Sequence, residues 1–167
     1  FADLEGVVSP PEIGETLLDN ARVKARAALE ASGLAAIADD TGLEIDALNG
    51  RPGVRSARYA GPRPSDEKNV AEVLQQMSAV PPEARRARFH TVMVACFPDG
   101  REVVGEGVLE GEITFSPRGR EGFGYDPIFQ LSDGRTLAEL SLGEKTQISH
   151  RTQALEALLR GLGMVPK

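Results

Sequence analysis

Residues 34–48 read LAAIADDTGLEIDAL, and this stretch decides how the rest of the chain is interpreted. A short apolar run, residues 34–38, is followed by the polar sequence Asp39-Asp40-Thr41-Gly42 and then by alternating apolar residues from Leu43 to Ala47. Apolar runs bounded by turn residues and strictly alternating segments are both typical of strands. The stretch therefore predicts a strand, a polar turn and a second strand.

Helical and strand patterns alternate on both sides of this stretch. Apolar residues recur at helical spacing from Gly14 to Gly33, where Ser32-Gly33 supplies a stop signal. The later predicted elements are a helix after the N-cap Ser65, a hairpin over 88–109 turning at Pro98-Asp99-Gly100, a strand over 112–115, a helical turn over 136–140 and a last helix capped by Ser149. This order predicts a mixed α/β domain.

Two glycine-rich segments lack any period and are predicted loops. The first, residues 49–64, reads NGRPGVRSARYAGPRP, and the second, residues 117–127, reads PRGREGFGYDP. Loops longer than about 12–15 residues inside a compact domain are usually functional. We therefore expect the first segment to form a binding edge.

Composition excludes several classes of function. The chain has 167 residues, the size of one domain, and its 19 Lys and Arg against 25 Asp and Glu give a net charge of −6. This charge disfavours nucleic-acid polymers and anionic membranes as partners, and the longest apolar run, Val92–Phe97, is too short to span a bilayer. The single cysteine, Cys96, cannot form an internal disulfide, so a cytoplasmic location is expected.

The strongest local feature is the pair Asp39-Asp40. Adjacent carboxylates raise each other's pKa unless a cation lies beside them, so the pair either faces solvent or holds a metal. Mg²⁺ prefers oxygen ligands and commonly takes one or two carboxylates, with substrate phosphates completing its coordination. A solvated turn is the commoner outcome for such a pair, because Asp and Gly are ordinary turn residues.

Two residues near the first helix could join this pair. Lys24 lies late on the helix, where its ammonium could meet phosphate oxygens, although a surface lysine is the commoner case. Glu12 is a further candidate oxygen ligand, and its alternative role is that of an acid favoured by the helix N-terminus. Neither residue is specific on its own.

The segment GREGFGYDPIF, residues 119–129, is the second constellation. Its glycines allow backbone amides to approach a ligand closely, while Phe123 and Tyr125 offer flat faces to a base and Asp126 can accept hydrogen bonds. A buried turn with core aromatics is the alternative.

The third constellation is Glu144-Lys145 followed by Ser149-His150-Arg151 at the start of the last helix. Amides at a helix N-terminus, together with a guanidinium, suit an anion or the carbonyl edge of a base. A capping serine with two exposed neighbours is the alternative. The chain has no Ser-His-Asp order, zinc spacing or GxxxxGK[ST] loop, so covalent nucleophilic catalysis and a Walker-type NTPase have no support.

Four segments together resemble the inosine triphosphate pyrophosphatase family, in the same order along nearly the whole chain. They are PEIGETLLDNARVKA (residues 11–25), ADDTGLEIDALNGRPGVRSARYAG (38–61), GFGYDPIF (122–129) and KTQISHR (145–151). The resemblance implies an elongated central mixed sheet flanked by helices, with the active site in the cleft between two lobes. It also implies Mg²⁺-dependent hydrolysis of inosine, deoxyinosine or xanthosine triphosphate to the monophosphate and pyrophosphate, and commonly a homodimer.

The resemblance also implies a role for each matching residue. Glu12 and Asp40 match metal ligands, the pair Asp39 and Asp40 matches the acids that hold the metal or activate water, and Lys24 and Lys145 match phosphate-binding lysines. Phe123 matches the aromatic that stacks on the base, Asp126 an acid of the base pocket, and His150 with Arg151 the pair that reads the purine 6-carbonyl. The sequence leaves open which carboxylate is the base.

The family pattern also opens with a strand and an [ST]xNxxK phosphate loop, which does not occur before Glu12. The chain begins on Phe1, and acids among its first residues argue against a signal peptide. Two alternatives stay open: the strand and the loop lie upstream of the sequence given, or the protein lacks them and with them part of its phosphate-binding site. A pyrophosphatase with another base preference and a catalytically weak nucleotide-binding domain are the alternative functions.

Overall fold

Helices and strands follow one another through the computed structural model, which describes residue 10 and residues 14–164. They are α1 (Leu17–Ser32), β1 (Ala36–Ile45), β2 (Pro52–Gly53), α2 (Asp66–Gln76), β3 (Arg86–Cys96), β4 (Glu102–Ile113), β5 (Phe129–Gln130), α3 (Leu142–Ile148) and α4 (His150–Gly161). The strands form one sheet in the order β2-β1-β3-β4-β5. The predicted mixed α/β class is confirmed. Within the described residues, no helix is both long and apolar enough to cross a membrane.

Neighbouring strands of the sheet pair antiparallel at both of its edges. β1 pairs antiparallel with β2, and β4 pairs antiparallel with β5, placing Ile113 opposite Phe129. The predicted turn between β3 and β4 is present, and the Phe97 amide donates to the Arg101 carbonyl oxygen at 3.0 Å beside it. A tight turn of this kind joins antiparallel neighbours.

The described residues fall into two compact units. Unit 1 takes its residues from Phe1–Thr41, Thr91–Gly107 and His150–Lys167, and unit 2 consists of Gly42–His90 and Val108–Ser149. The apolar core of unit 2 includes Phe89 and Phe129, whose ring centroids lie 4.6 Å apart. Tilted rings at this separation gain stabilisation beyond their burial.

Three sequence predictions about the elements are wrong. Asp39–Gly42 is not a turn, because β1 continues through it, and residues 112–113 belong to β4 and not to a further strand. Helix α3 was not predicted. Glu144 and Lys145 lie on this helix and not, as expected, at the start of the last helix. Successive side chains of a strand point to opposite faces of the sheet, so the carboxylates of Asp39 and Asp40 are separated.

Helix α4 packs closely on β4 in unit 1 because two positions of the strand lack a side chain. A Cβ atom on Gly107 would overlap the His150 carbonyl oxygen and the Ala154 amide, and one on Gly105 would overlap the Ala154 carbonyl oxygen. Glycine therefore sets the distance between the strand and the first turns of α4. This contact supports the helix that begins with His150 and Arg151.

We expect Gly107→Ala to destabilise the protein by about 1–3 kcal/mol, because the added methyl group would push α4 off the strand. The urea unfolding midpoint measures this loss. Gly143→Ala is the matched control, since a Cβ there has open space and Gly143 lies in the first turn of α3. A Gly107→Ala midpoint equal to wild type would mean that α4 can shift without cost.

Candidate active site

Asp40 is a buried carboxylate whose two oxygens are both hydrogen-bonded. Its side chain accepts from Lys24 Nζ at 2.7 Å on Oδ1 and from Asn20 Nδ2 at 3.2 Å on Oδ2, and the residue is 7% exposed. A buried charge needs both an opposite charge and further hydrogen bonds to be tolerated. The contacts of Asp40 supply both, which explains why an acid can occupy the interior of β1.

Helix α1 presents Asn20 and Lys24 to Asp40 from one face, since residues four apart on a helix are neighbours. The helix is fixed at both ends: Thr16 caps it by accepting from the Asp19 amide at 3.1 Å, and Gly33 ends it with φ at 68°. Asn20 is also held by its Oδ1, which accepts from the Gly14 amide at 2.8 Å. Sequence analysis missed Asn20, although a polar residue among Leu17, Ala21 and Ala25 was the available signal.

Asp39 points away from Asp40 and has a different cation. Arg151, in the first turn of α4, donates from Nε to Asp39 Oδ2 at 3.3 Å. Both side chains are partly exposed, so this ion pair is worth no more than about 1 kcal/mol. Each acid of the pair therefore has a cation from a helix, and β1 carries two carboxylates with different surroundings.

His150 is held in its neutral form. Burial, helped by the positive charge of Arg151 and opposed by the negative charge of Asp39, lowers the pKa of its imidazole to about 4. At neutral pH the ring therefore carries a single N–H donor. A neutral donor next to a guanidinium suits a carbonyl oxygen.

The depressed pKa predicts how stability depends on pH. The unfolded state takes up a proton on His150 below about pH 6.5 and the native state only below about pH 4, so stability is lost as the pH falls through this window. We expect the melting temperature of wild type to drop more between pH 7 and pH 5 than that of His150→Gln. His90→Gln is the control, because it removes the other histidine of the chain by the same substitution. Equal drops for wild type and His150→Gln would contradict the assignment.

In unit 2 the second glycine-rich segment forms a tight loop. Gly122 and Gly124 have φ values of 89° and 60°, the left-handed region that favours glycine. Between them, Phe123 is 68% exposed, whereas Tyr125 is 5% exposed and packs in the core. Tyr125 donates to the Ser56 carbonyl oxygen at 2.8 Å, and burial raises its pKa. Of the two aromatics, Phe123 is the exposed one and is therefore the candidate to stack on a base.

The same loop brings Asp126 and Lys145 together. Lys145 Nζ, from α3, donates to Asp126 Oδ2 at 2.8 Å, and the Phe123 amide lies 3.4 Å from the same oxygen. A Cβ on Gly122 would overlap both charged groups, so only glycine fits beside them. Sequence analysis missed Asp66, whose Oδ2 accepts from the Gly124 amide at 2.7 Å.

The site residues expected from the sequence are divided between the units. Unit 1 holds Lys24, Asp39, Asp40, His150 and Arg151, unit 2 holds Phe123, Tyr125, Asp126 and Lys145, and Glu12 lies outside the described residues. Within residues 14–164, no three acidic, histidine or cysteine side chains cluster as metal ligands. The carboxylate of Asp40 still fits Mg²⁺ chemically, because this ion takes one or two protein carboxylates beside substrate phosphates.

Comparison with known proteins identifies relatives over nearly the whole chain. A family model described as the Ham1 family matches residues 1–161. A dITP/XTP pyrophosphatase from Corynebacterium glutamicum (strain R) is 46% identical over 168 residues, which cover 98% of this chain and 82% of that protein. A dITP/XTP pyrophosphatase from Symbiobacterium thermophilum is 50% identical over 151 residues, 90% of this chain and 76% of that protein.

The fold agrees with these sequence matches. The solved structure of a HAM1 protein from Coxiella burnetii has a TM-score of 0.89 and 44% identity, covering 99% of this chain and 90% of that one. The resemblance drawn from the four sequence segments is thereby confirmed. Sequence and fold together show that this chain belongs to the Ham1 family.

Proposed function

We propose that this chain hydrolyses non-canonical purine nucleoside triphosphates, namely dITP, ITP and XTP, to the monophosphate and pyrophosphate. The observation that carries the proposal is the 46–50% identity to proteins named dITP/XTP pyrophosphatase, over three quarters or more of their length. The residues of units 1 and 2 described above supply chemistry that suits such a substrate.

The acids and lysine of unit 1 suit the phosphate chemistry. Water attacks the α-phosphorus, the bond from that phosphorus to the bridging oxygen breaks, and pyrophosphate leaves. Asp40 or Asp39 orients the water and takes its proton, while the ammonium of Lys24 offsets negative charge on the phosphates. Asp40, together with Glu12, would hold Mg²⁺, which supplies charge neutralisation at the phosphates when bound.

Base selection rests on donors and on stacking. His150, neutral at pH 7, and Arg151 donate to the 6-carbonyl oxygen of hypoxanthine or xanthine, whereas adenine would set its amino group against these donors. Phe123 stacks on the base, which is worth about 1–3 kcal/mol. Asp126 belongs to the base pocket, and Lys145 binds phosphate in this proposal.

Release of pyrophosphate tests the function. We expect Mg²⁺-dependent release from dITP and XTP that is faster by orders of magnitude than release from dATP, dGTP or dTTP, and that stops with EDTA. Equal rates with dGTP would favour a pyrophosphatase of different base preference. Nucleotide binding without turnover would favour a catalytically weak binding domain.

The proposal includes a homodimer working in the cytoplasm. Support for a reducing compartment comes from the single cysteine, Cys96, which is buried and cannot form an internal disulfide. Sedimentation at micromolar concentration tests the dimer. A single species of monomer mass would contradict it.

A further inference from the structure

Asp66 connects α2 to the loop that carries Phe123. Its Oδ2 accepts from the Gly124 amide at 2.7 Å, across 58 positions of sequence. A carboxylate accepting from an N–H makes a hydrogen bond about twice as strong as a neutral one. The bond lies on the residue directly after Phe123, so it acts on the backbone that sets the direction of the ring.

Helix α2, which carries the acceptor Asp66, is capped and packed in the core. Asp66 is the first residue of α2, and Ser65 caps the helix by accepting from the Lys68 amide at 3.3 Å. Val70 and Val73 anchor the helix in the core of unit 2. The packing of α2 therefore fixes the backbone that carries the exposed Asp66 side chain.

On the loop side, Asp126 holds Phe123 from within the loop, because its amide donates to the Phe123 carbonyl oxygen at 3.2 Å, and the Asp66 bond adds a contact from outside the loop. Gly122 and Gly124 flank Phe123 with φ values in the left-handed region, and glycine keeps the most backbone freedom of any residue. A cavity of about 380 Å³ separates the loop from α2, with apolar lining from Val70, Ala71 and Leu74. Close packing therefore does not hold the loop against the helix there, and the bond from the Gly124 amide to Asp66 crosses this gap.

We propose that Asp66 is a positioning residue for base binding, which presets the loop so that Phe123 is ready to stack. This inference rests on the proposed function, because it needs Phe123 to bind the purine. Presetting a binding loop lowers the ordering cost of binding and leaves the chemical step unchanged. The expected signature is a change in KM for dITP with kcat unchanged.

Steady-state kinetics with dITP on the full chain test the proposal. We expect Asp66→Ala to raise KM about tenfold and to leave kcat within about twofold, as loss of one charge-assisted bond implies. Asp66→Asn should restore a KM within about threefold of wild type, because its amide oxygen still accepts from Gly124. Glu67→Ala is the matched control: it removes a neighbouring acid from the same first turn of α2.

A Phe123→Ala background tests whether the effect of Asp66 on KM passes through the Phe123 ring. There Asp66→Ala should raise KM by less than about twofold, because its effect passes through Phe123. Amide exchange gives a readout independent of turnover: Gly124 should exchange faster in Asp66→Ala than in Glu67→Ala, with α2 unchanged.

Three results would overturn the inference. They are an unchanged KM in Asp66→Ala, equal effects of Asp66→Ala and Glu67→Ala, and a tenfold effect that persists without Phe123. A wild-type chain that does not hydrolyse dITP would instead defeat the proposed function, and the inference with it.

Discussion

Replacing Asp40 with asparagine is expected to lower kcat for dITP by about 10²–10⁴-fold, the range that a positioned acid or base contributes. Asparagine has nearly the same shape as aspartate and keeps an oxygen that accepts from Lys24 Nζ, which lies 2.7 Å from Oδ1. It cannot take a proton from water at neutral pH, and its neutral oxygen is a weaker ligand for Mg²⁺. Turnover at saturating dITP and Mg²⁺ measures the effect.

The same substitution should also lower stability, in contrast to what the sequence suggests. A polar turn would release Asp40 to solvent, whereas the structure buries it against a lysine that is itself only 16% exposed. Breaking a buried ion pair costs up to about 3–5 kcal/mol, and the retained hydrogen bond keeps the loss below that. Thermal unfolding therefore has to accompany the kinetics, and kcat has to be expressed per folded molecule.

Asp39→Asn is the matched comparison for the roles of the two acids. Asp39 is partly exposed beside Arg151, so its replacement should cost no more than about 1 kcal/mol of stability. If Asp40 is the base, Asp40→Asn loses far more kcat than Asp39→Asn. Full kcat in the folded fraction of Asp40→Asn would make Asp40 a structural residue.

Local signals predicted the elements whose cause is local. The end of α1 follows from Gly33, the start of α2 from Ser65, and the β3–β4 turn from Pro98-Asp99-Gly100, and each of these residues acts on its immediate neighbours. Helix α3 was missed because its local signals are weak. It has seven residues and none is buried, so no apolar stripe exists, and only the capping box of Ser141 and Glu144 marks it.

The acid pair was misread because its surroundings come from far away in sequence. Lys24 is 16 positions from Asp40, and Arg151 is 112 positions from Asp39. These two cations allow a strand to continue where turn chemistry predicted a break, which is tertiary structure overriding local preference. Asn20 and Asp66 were missed for a related reason, since their hydrogen bonds to Asp40 and from Gly124 join residues that no spacing rule connects.

Replacing Arg151 with alanine is expected to reduce selectivity, lowering kcat/KM for dITP by about 10² or more and affecting dATP much less. A site that donates to a substrate carbonyl rejects the analogue without it because buried donors are left unsatisfied. Removing the donor therefore removes both the free-energy cost of an unsatisfied donor beside adenine and the stabilisation of hypoxanthine by the hydrogen bond. The ratio of kcat/KM for dITP to that for dATP measures the change.

The bond between Arg151 and Asp39 gives Arg151 a second possible role, and the variants separate the two. Asp39→Asn removes the carboxylate charge and keeps the guanidinium. If Arg151 acts only by orienting Asp39, this variant should lose as much kcat/KM as Arg151→Ala does, for dITP and for dATP. If Arg151 reads the base, Asp39→Asn should leave the dITP to dATP ratio within about threefold of wild type, while Arg151→Ala collapses it. Arg151→Lys adds a further distinction, because it keeps the charge that offsets Asp39 but loses the planar donor fork. A Lys variant with wild-type selectivity would show that charge alone is used, and would contradict base reading by the guanidinium.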